Sequence, residues 1–277
     1  MKQILFLAAL GASFTINAQQ LKLSKGQKVT ITSTISQEVD MGIGQINNNS
    51  KSTSVLEVKD SDNNNYTASF KLAKLTMSMD AMGQQQSYDS EKAEDKDSEI
   101  GKSVGAKVGK EVNLLIDKTS GKANIKDAAS PEKKETDEEN PLEGMMQMFG
   151  AGESEAAITE AVFFIIPTGK KAGDTWSDST TSLANMKAYH TYTLKSVNGD
   201  DATISVFTKM EGKQSMEQQG MQMDINLSAK TEGELLVNTK TSLLKKSSRV
   251  ADITGNMDIM GQSMPITSKM TEVTEYN

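Results

Sequence analysis

From Val29 to Met41 the residues VTITSTISQEVDM alternate, with Val29, Ile31, Ile35, Val39 and Met41 on one face and Thr30, Thr32, Thr34, Glu38 and Asp40 on the other. A period of two is strand geometry, and a polar second face means that one side is buried while the other meets water. That is the pattern of an antiparallel sheet, because parallel strands are covered on both faces. The chain has no cysteine. No disulfide can therefore help, and the sheet must be held by the apolar face it buries.

The next stretch, SVLEVKDSDNNNYTASFKLAKLTMSM, reads as strand, polar turn and strand, with Tyr66, Ala68, Phe70 and Leu72 on one face. Near Ala73 the apolar phase moves to Leu75, Met77 and Met79, as one extra residue in a β-bulge would cause. A short helix is expected over Ser98 to Val108. A hairpin follows, with strands Val112 to Ile116 and Lys122 to Lys126 about a turn at Asp117 to Gly121. The run AASPEKKETDEENPLEGMMQMFGAGESE has charge, Pro and Gly but no period, which is the composition of a mobile linker. AAITEAVFFIIP is expected to form a helix ending before Pro167. Six strands complete the chain: Tyr189 to Val197, Ala202 to Met210, Met221 to Glu232, Leu235 to Thr239, Ser247 to Ile253 and Ser268 to Val273.

A faint repeat links VKDSDNNNYTASFKLAKLTMSMDAMGQQ with LKSVNGDDATISVFTKMEGKQSMEQQGMQM. Each has strand, Asn/Asp/Gly turn, strand and a Met-rich exit. The expected fold is mainly β with an α+β leaning. Large curved antiparallel sheets stand in two related halves with two or three short helices, and closure into a barrel is left open. The divisions are a signal peptide at 1–18, a β-rich first half at 19–127, a charged linker at 128–156 and a β-rich second half at 157–277.

The signal peptide is read from Lys2, the apolar run Ile4 to Ile16 and the small residue Ala18 at the cleavage point. The apolar run is shorter than the ~20 residues a membrane-spanning helix needs. Export to the periplasm or the medium, without a transmembrane or lipid anchor, is the expected address. The net charge is -7. With no basic stripe, the chain gains little from displacing counterions on a phosphate backbone, so nucleic acid is not an expected partner.

Several short motifs, GQKVTI, MSMDAMG followed by SYDS, IDKTSGKANI, and IPTGKKAGDTW followed by YTL, are similar to those of a family of uncharacterised exported proteins of Gram-negative bacteria, one defined as a domain of unknown function. The resemblance covers most of the chain after residue 18. It implies no catalytic residue, and the chain departs from many exported relatives of this type in lacking a lipid-attachment cysteine.

Chemistry-bearing motifs are sparse. GKS at Gly101 to Ser103 lacks the earlier glycine and strand of a phosphate-binding loop. Gly101, Gly105 and Gly109 are instead spaced to line one side of a helix packed on a sheet. Asp60, Asp62 and Asn64 begin like a calcium loop, but Asn65 stands at the turn glycine and Lys71 at the bidentate carboxylate, so a hairpin turn is the better reading, with Asn65 supplying a left-handed conformation. His190 is the only histidine and is expected on a solvent-facing strand position. It could neither complete a zinc site nor easily run a triad. Thioethers suit monovalent copper, yet methionines without His or Cys fit adaptable apolar packing better.

Trp176, the only tryptophan, follows the Gly173-Asp174 turn and is expected to peg the second half onto the core. It is also the alternative platform for a ligand. No catalytic, cofactor or metal-binding residues are expected. The functional expectation is a non-catalytic exported protein that holds an apolar or amphipathic small molecule, or an envelope protein segment, in a groove between curved sheets. Trp176, Met77, Met79, Met221 and Met223 are the candidate lining. A structural or protein-interaction component of the cell envelope is the alternative. A hydrolase built on two carboxylates stands third, since sequence spacing does not reveal their separation in space.

Overall fold

In a computed structural model of the chain, the described residues are 21–42, 44–81, 83–125, 162–181, 186–218, 221–259 and 262–277. The expected signal peptide and the expected charged linker lie outside them. The alternating segment forms β1 (Lys28–Asp40). It is followed by β2 (Gln45–Ser61), β3 (Asn65–Ala81), β4 (Gln84–Asp89), α1 (Glu99–Val104), β5 (Glu111–Asp117) and β6 (Ala123–Ile125). The second half supplies β7 (Thr175–Thr181), β8 (Lys187–Asn198), β9 (Asp201–Gln218), β10 (Met221–Asn238), β11 (Leu244–Ile259) and β12 (Gln262–Tyr276).

These strands make a single antiparallel sheet rather than several, in the order β6, β5, β3, β2, β1, β12, β11, β10, β9, β8, β7, with β4 pairing β3 beyond β5. The path has two ends, so the sheet is not closed into a barrel. It is nonetheless curled. Leu21 N–H donates to the Lys118 carbonyl and Lys22 N–H to the Thr241 carbonyl, each at 3.2 Å, so the β5–β6 and β10–β11 turns, far apart in the order, meet at one short segment.

Register follows the sequence pattern closely. Val29, Ile31 and Val39 are buried, as are Tyr66, Ala68, Phe70 and Leu72. In β3 the pairing runs Thr53 with Lys74 and then Ser54 with Leu72, which leaves Ala73 as the extra residue of a bulge. The faint repeat appears as the hairpins β2–β3 and β8–β9, on either side of the centre of one sheet.

Four expectations are corrected. The strands read as Met221 to Glu232 and Leu235 to Thr239 are one, because Gly233 stays in the ladder, paired with Val206 and Arg249. Val162 to Ile166 are not helical. Phe163 forms a β-bridge with Leu243, and Leu244 N–H donates to the Val162 carbonyl at 3.0 Å. Val162 and Ile166 are buried as an extended plug, and Pro167 disfavours a helical conformation just before it. The earlier part of that expected helix lies outside the described residues. Third, α1 ends at Val104 and continues only as a 3₁₀ turn, Gly105–Lys107, so Gly109 leaves the helix with φ +83°. Gly101 packs on the preceding 3₁₀ turn (Glu94–Asp97), where a Cβ would meet the Asp95 carbonyl oxygen, and Gly105 faces the Tyr88 hydroxyl. Fourth, Asn65 is not left-handed. The Asp62 carboxylate accepts from Asn64 N–H at 2.8 Å and Asn65 N–H at 2.7 Å, which stabilises the turn without that conformation.

The two ends of the curled sheet differ. At one end lie the β2–β3, β5–β6, β8–β9 and β10–β11 turns, plugged by Leu21 and by the Val162–Ile166 segment. Strands β1, β3, β9 and β11 finish at the other end, where β2, β4, β10 and β12 begin. Met79, Met216, Met221, Met223, Met257 and Met264 all stand within two residues of a strand terminus there, and Met41 directly follows β1. Among the described residues no strand carries a methionine at the plugged end.

Candidate functional site

The inner face is built from cross-strand rows, and pairing register says which side chains share one. One row crosses ten strands: Trp176, Tyr192, Val206, Gly233, Arg249, Glu272, Ile35, Ser50, Met77 and Tyr88. The next, toward the methionine end, includes His190, Thr208, Thr231, Ala251, Met270, Gln37, Asn48 and Met79. The face thus has three zones. A large apolar cluster fills the plugged end, small and polar side chains line the middle, and methionines with Val39, Ile46 and Ile266 hold the far end.

The middle zone is polar though largely buried. Gln37 donates to the Ser268 hydroxyl at 3.2 Å, and the hydroxyls of Ser33 and Thr274 lie 3.1 Å apart. Gln37 was concealed in the sequence, since a single polar residue at an apolar position reads as noise. Arg249 is the chain's only arginine. Its stem passes over Gly233, where an added Cβ would lie 3.0 Å from the arginine Cγ. Its Nε is buried without a hydrogen-bond partner, as is the hydroxyl of Ser247 two residues earlier. Nothing in the sequence pattern marks this pair, because a Ser-Ser-Arg run reads as a solvated strand.

Trp176 enters β7 after a tight turn in which Gly173 has φ +94° and its N–H donates to the Leu194 carbonyl at 2.7 Å. The ring is half-buried against the apolar cluster. It stacks on Tyr192 at 5.6 Å, stands 6.3 Å from Phe164, and has Lys170 at 5.4 Å over its face. His190 continues this stack at 6.1 Å from Tyr192, and it is not free in solvent. Its Nδ1 lies 2.9 Å from the Thr208 hydroxyl and its Nε2 lies 3.1 Å from that of Thr180.

The expected lining residues are therefore not one groove. Met77 is buried under α1 with Tyr88 and Ile100, and Met79 packs with Val39, Ile46 and Ile266. Met221 and Met223 begin β10 at the same end as Met79. Trp176 packs with the cluster of the plugged end. A groove of about 750 Å³ opens instead where Lys187, Glu211, Lys213 and Asn226, which alternate away from the inner face, surround the backbone of the inner-row positions Gly212, Leu227 and Gly255. Lys187, Glu211 and Lys213 put charges around its rim, although most of its lining is apolar. Among the described residues no three His, Asp or Glu side chains converge on a metal position.

Several carboxylates are shifted, all by local turns or pairs. Two N–H groups hold Asp62 below its usual range, Ser120 N–H does the same for Asp117, and Lys59 lowers Glu57. Burial pushes the Tyr276 phenol far up. Lys25 holds Asp60 down, although Asp62 lies close enough to Asp60 to push it up, and both carboxylates are exposed at the β2–β3 turn.

The sequence profile of DUF6263, a family of unknown function, matches residues 63–244. The chain belongs to the DUF6263 family. The match runs from the β2–β3 turn to the start of β11, so it takes in the Trp176 row up to Gly233. No curated protein matches this DUF6263 chain. Among solved structures it is similar to one described as lipid–protein interactions in lipovitellin, with a TM-score of 0.51 and 9% identity over 92% of this chain. The chain spans 25% of the length of lipovitellin, and the likeness is one of fold. A weaker likeness, TM-score 0.28 at 9% identity, is to OccK5 of Pseudomonas aeruginosa, covering 92% of this chain and 98% of that one. It is too low to establish a common fold. No helix among the described residues is long and apolar enough to cross a membrane.

Proposed function

We propose that this DUF6263 protein is an exported, non-catalytic binding protein that holds an apolar or amphipathic ligand against the inner face of its curled sheet, at the methionine end. The gathering of Met41, Met79, Met257 and Met264 around one end of the sheet carries the reading. Unbranched thioether side chains adapt to more than one ligand shape, as a carrier of variable acyl chains requires. The lipid association of lipovitellin supports lipid as the ligand class for this architecture. Lys2, the apolar run after it and Ala18 support export to the periplasm or the medium of a Gram-negative cell.

A scaffold of the cell envelope is the second reading. It is favoured by β7, which pairs only β8 and is exposed along its length apart from Trp176. Such an edge can add a strand from a partner. Native mass spectrometry of the protein purified from its own envelope fraction separates the two. A lipid-like mass that is lost on denaturation is the expected result. A stoichiometric protein partner would favour the scaffold. An empty protein that also fails to take up added amphiphile would end the binding reading.

A further inference from the structure

We infer that Ser247 and Arg249 form the head-group site for a single-chain anionic amphiphile. The oxyanion takes their two buried donors, and the acyl chain runs along β11 toward the methionine end. The inference rests on the binding reading above and specifies its ligand.

Three observations converge on this pair. First, the chain has one arginine among its cations, and it stands on the inner face while the paired lysines (Lys25, Lys28, Lys59, Lys74, Lys209, Lys240 and Lys245) have well-exposed side chains. Arginine is the cation suited to carboxylate and phosphate oxygens, because its planar fork donates two parallel hydrogen bonds. Second, the Ser247 hydroxyl and the Arg249 Nε–H are both buried and both without an acceptor, and Ser247 is only 3% exposed. They belong to adjacent same-face positions of β11, about 7 Å apart along the strand. Two missing acceptors at neighbouring donors describe an oxyanion with at least two oxygens. A buried unsatisfied donor is destabilising unless something else occupies its place.

Third, the same face of β11 continues through Ala251, Ile253, Gly255 and Met257, with no charged side chain. From Arg249 to Met257 that is about 27 Å of strand, longer than the ~15 Å hydrocarbon depth of one leaflet. An acyl chain anchored at Arg249 would thus reach the methionine end. Glu272 stands opposite Arg249 across β12 and makes no ion pair with it; its carboxylate accepts from the Thr274 hydroxyl at 3.3 Å. That negative charge selects a singly charged head, a carboxylate or phosphodiester, over a doubly charged phosphate.

The test uses the full chain, purified delipidated, with oleate, the neutral monoolein and acetate as probes. Oleate should raise the unfolding temperature by roughly 5–10 °C at a hundredfold excess over its Kd, with acetate inactive and monoolein bound at least tenfold more weakly. Arg249→Met should weaken oleate by about 10- to 100-fold, the scale of a hydrogen bond to a charged group, and leave monoolein unchanged. If Arg249→Met does not fold, Arg249→Lys keeps the charge, loses the fork and should lose most of the preference. Equal binding of oleate and monoolein by the unaltered protein overturns the head-group site while leaving the binding reading standing. Acetate acting as strongly as oleate overturns the amphiphile assignment. Failure of both lipids overturns the site and the binding reading together.

Discussion

Trp176 is the residue on which the sequence places most weight, and its surroundings set how much it contributes. A fully buried aromatic costs ~3–5 kcal/mol when cut to alanine. Trp176 is half-buried at the sheet edge, between Phe164, Tyr192 and Lys170. Trp176→Ala should therefore cost about 2 kcal/mol, measured by urea unfolding with an unchanged slope. Two other residue-scale effects concern pH. Asp62 and Asp117 are held below their unfolded range by turn N–H groups. A depressed carboxylate contributes stability that is present above its unfolded pKa near ~3.9 and is lost as pH falls through the folded value. Asp62→Asn and Asp117→Asn should each flatten the decline in unfolding temperature below about pH 4. Tyr276 has the opposite sign. Its phenol is raised by burial, so its contribution is complete below the unfolded value near ~10 and falls away above it. Tyr276→Phe should make the alkaline limb shallower between about pH 10 and 12, and an unchanged limb would refute this assignment.

At the level of single elements, glycine decides where strands bend and approach. A Cβ on Gly255 would lie 2.1 Å from the Asn226 carbonyl oxygen, a contact that backbone movement alone could relieve. Gly255→Val should destabilise by about 3 kcal/mol, at the upper range of overpacking. Gly26, by contrast, has φ +81° with nothing near the missing side chain. Gly26→Ala should cost only about 1 kcal/mol, from conformational strain alone. Similar losses at the two positions, compared by chemical denaturation, would show that close approach at Gly255 does not matter. The element pattern also explains what could be read in advance. Ala73 betrayed its bulge because the apolar phase slips by one residue there. Gly233 looked like a break between two strands because a residue without a side chain carries no periodic signal, and only its ladder partners Val206 and Arg249 keep β10 continuous.

For the whole molecule, polarity is organised along the strands. The plugged end holds the large apolar cluster, the centre holds small polar side chains, and the far end holds methionines. Met257 and Met264 face each other across β11 and β12. The double replacement Met257→Glu with Met264→Glu puts two like charges on one rung and should abolish retention of an apolar mass in native mass spectrometry, with the plugged core preserved in near-ultraviolet circular dichroism. Retention of cargo by this variant would remove the methionine end from the site.

Alternation alone determined that the chain is a β protein, which faces of β1 and β3 are buried, where β3 bulges and where the main turns fall. Each of these depends on neighbours close in sequence, through the two-residue period of strands and the local demands of turns. The sequence also showed methionine to be abundant. Only the tertiary structure decided that twelve strands share one open sheet, that Trp176 and Met79 belong to different apolar clusters, and that the Ser247 hydroxyl and the Arg249 Nε–H lack an acceptor. Those facts depend on pairings such as Thr34 with Val273, between residues at nearly opposite ends of the chain. Local periodicity contains no information about which distant strand supplies the partner.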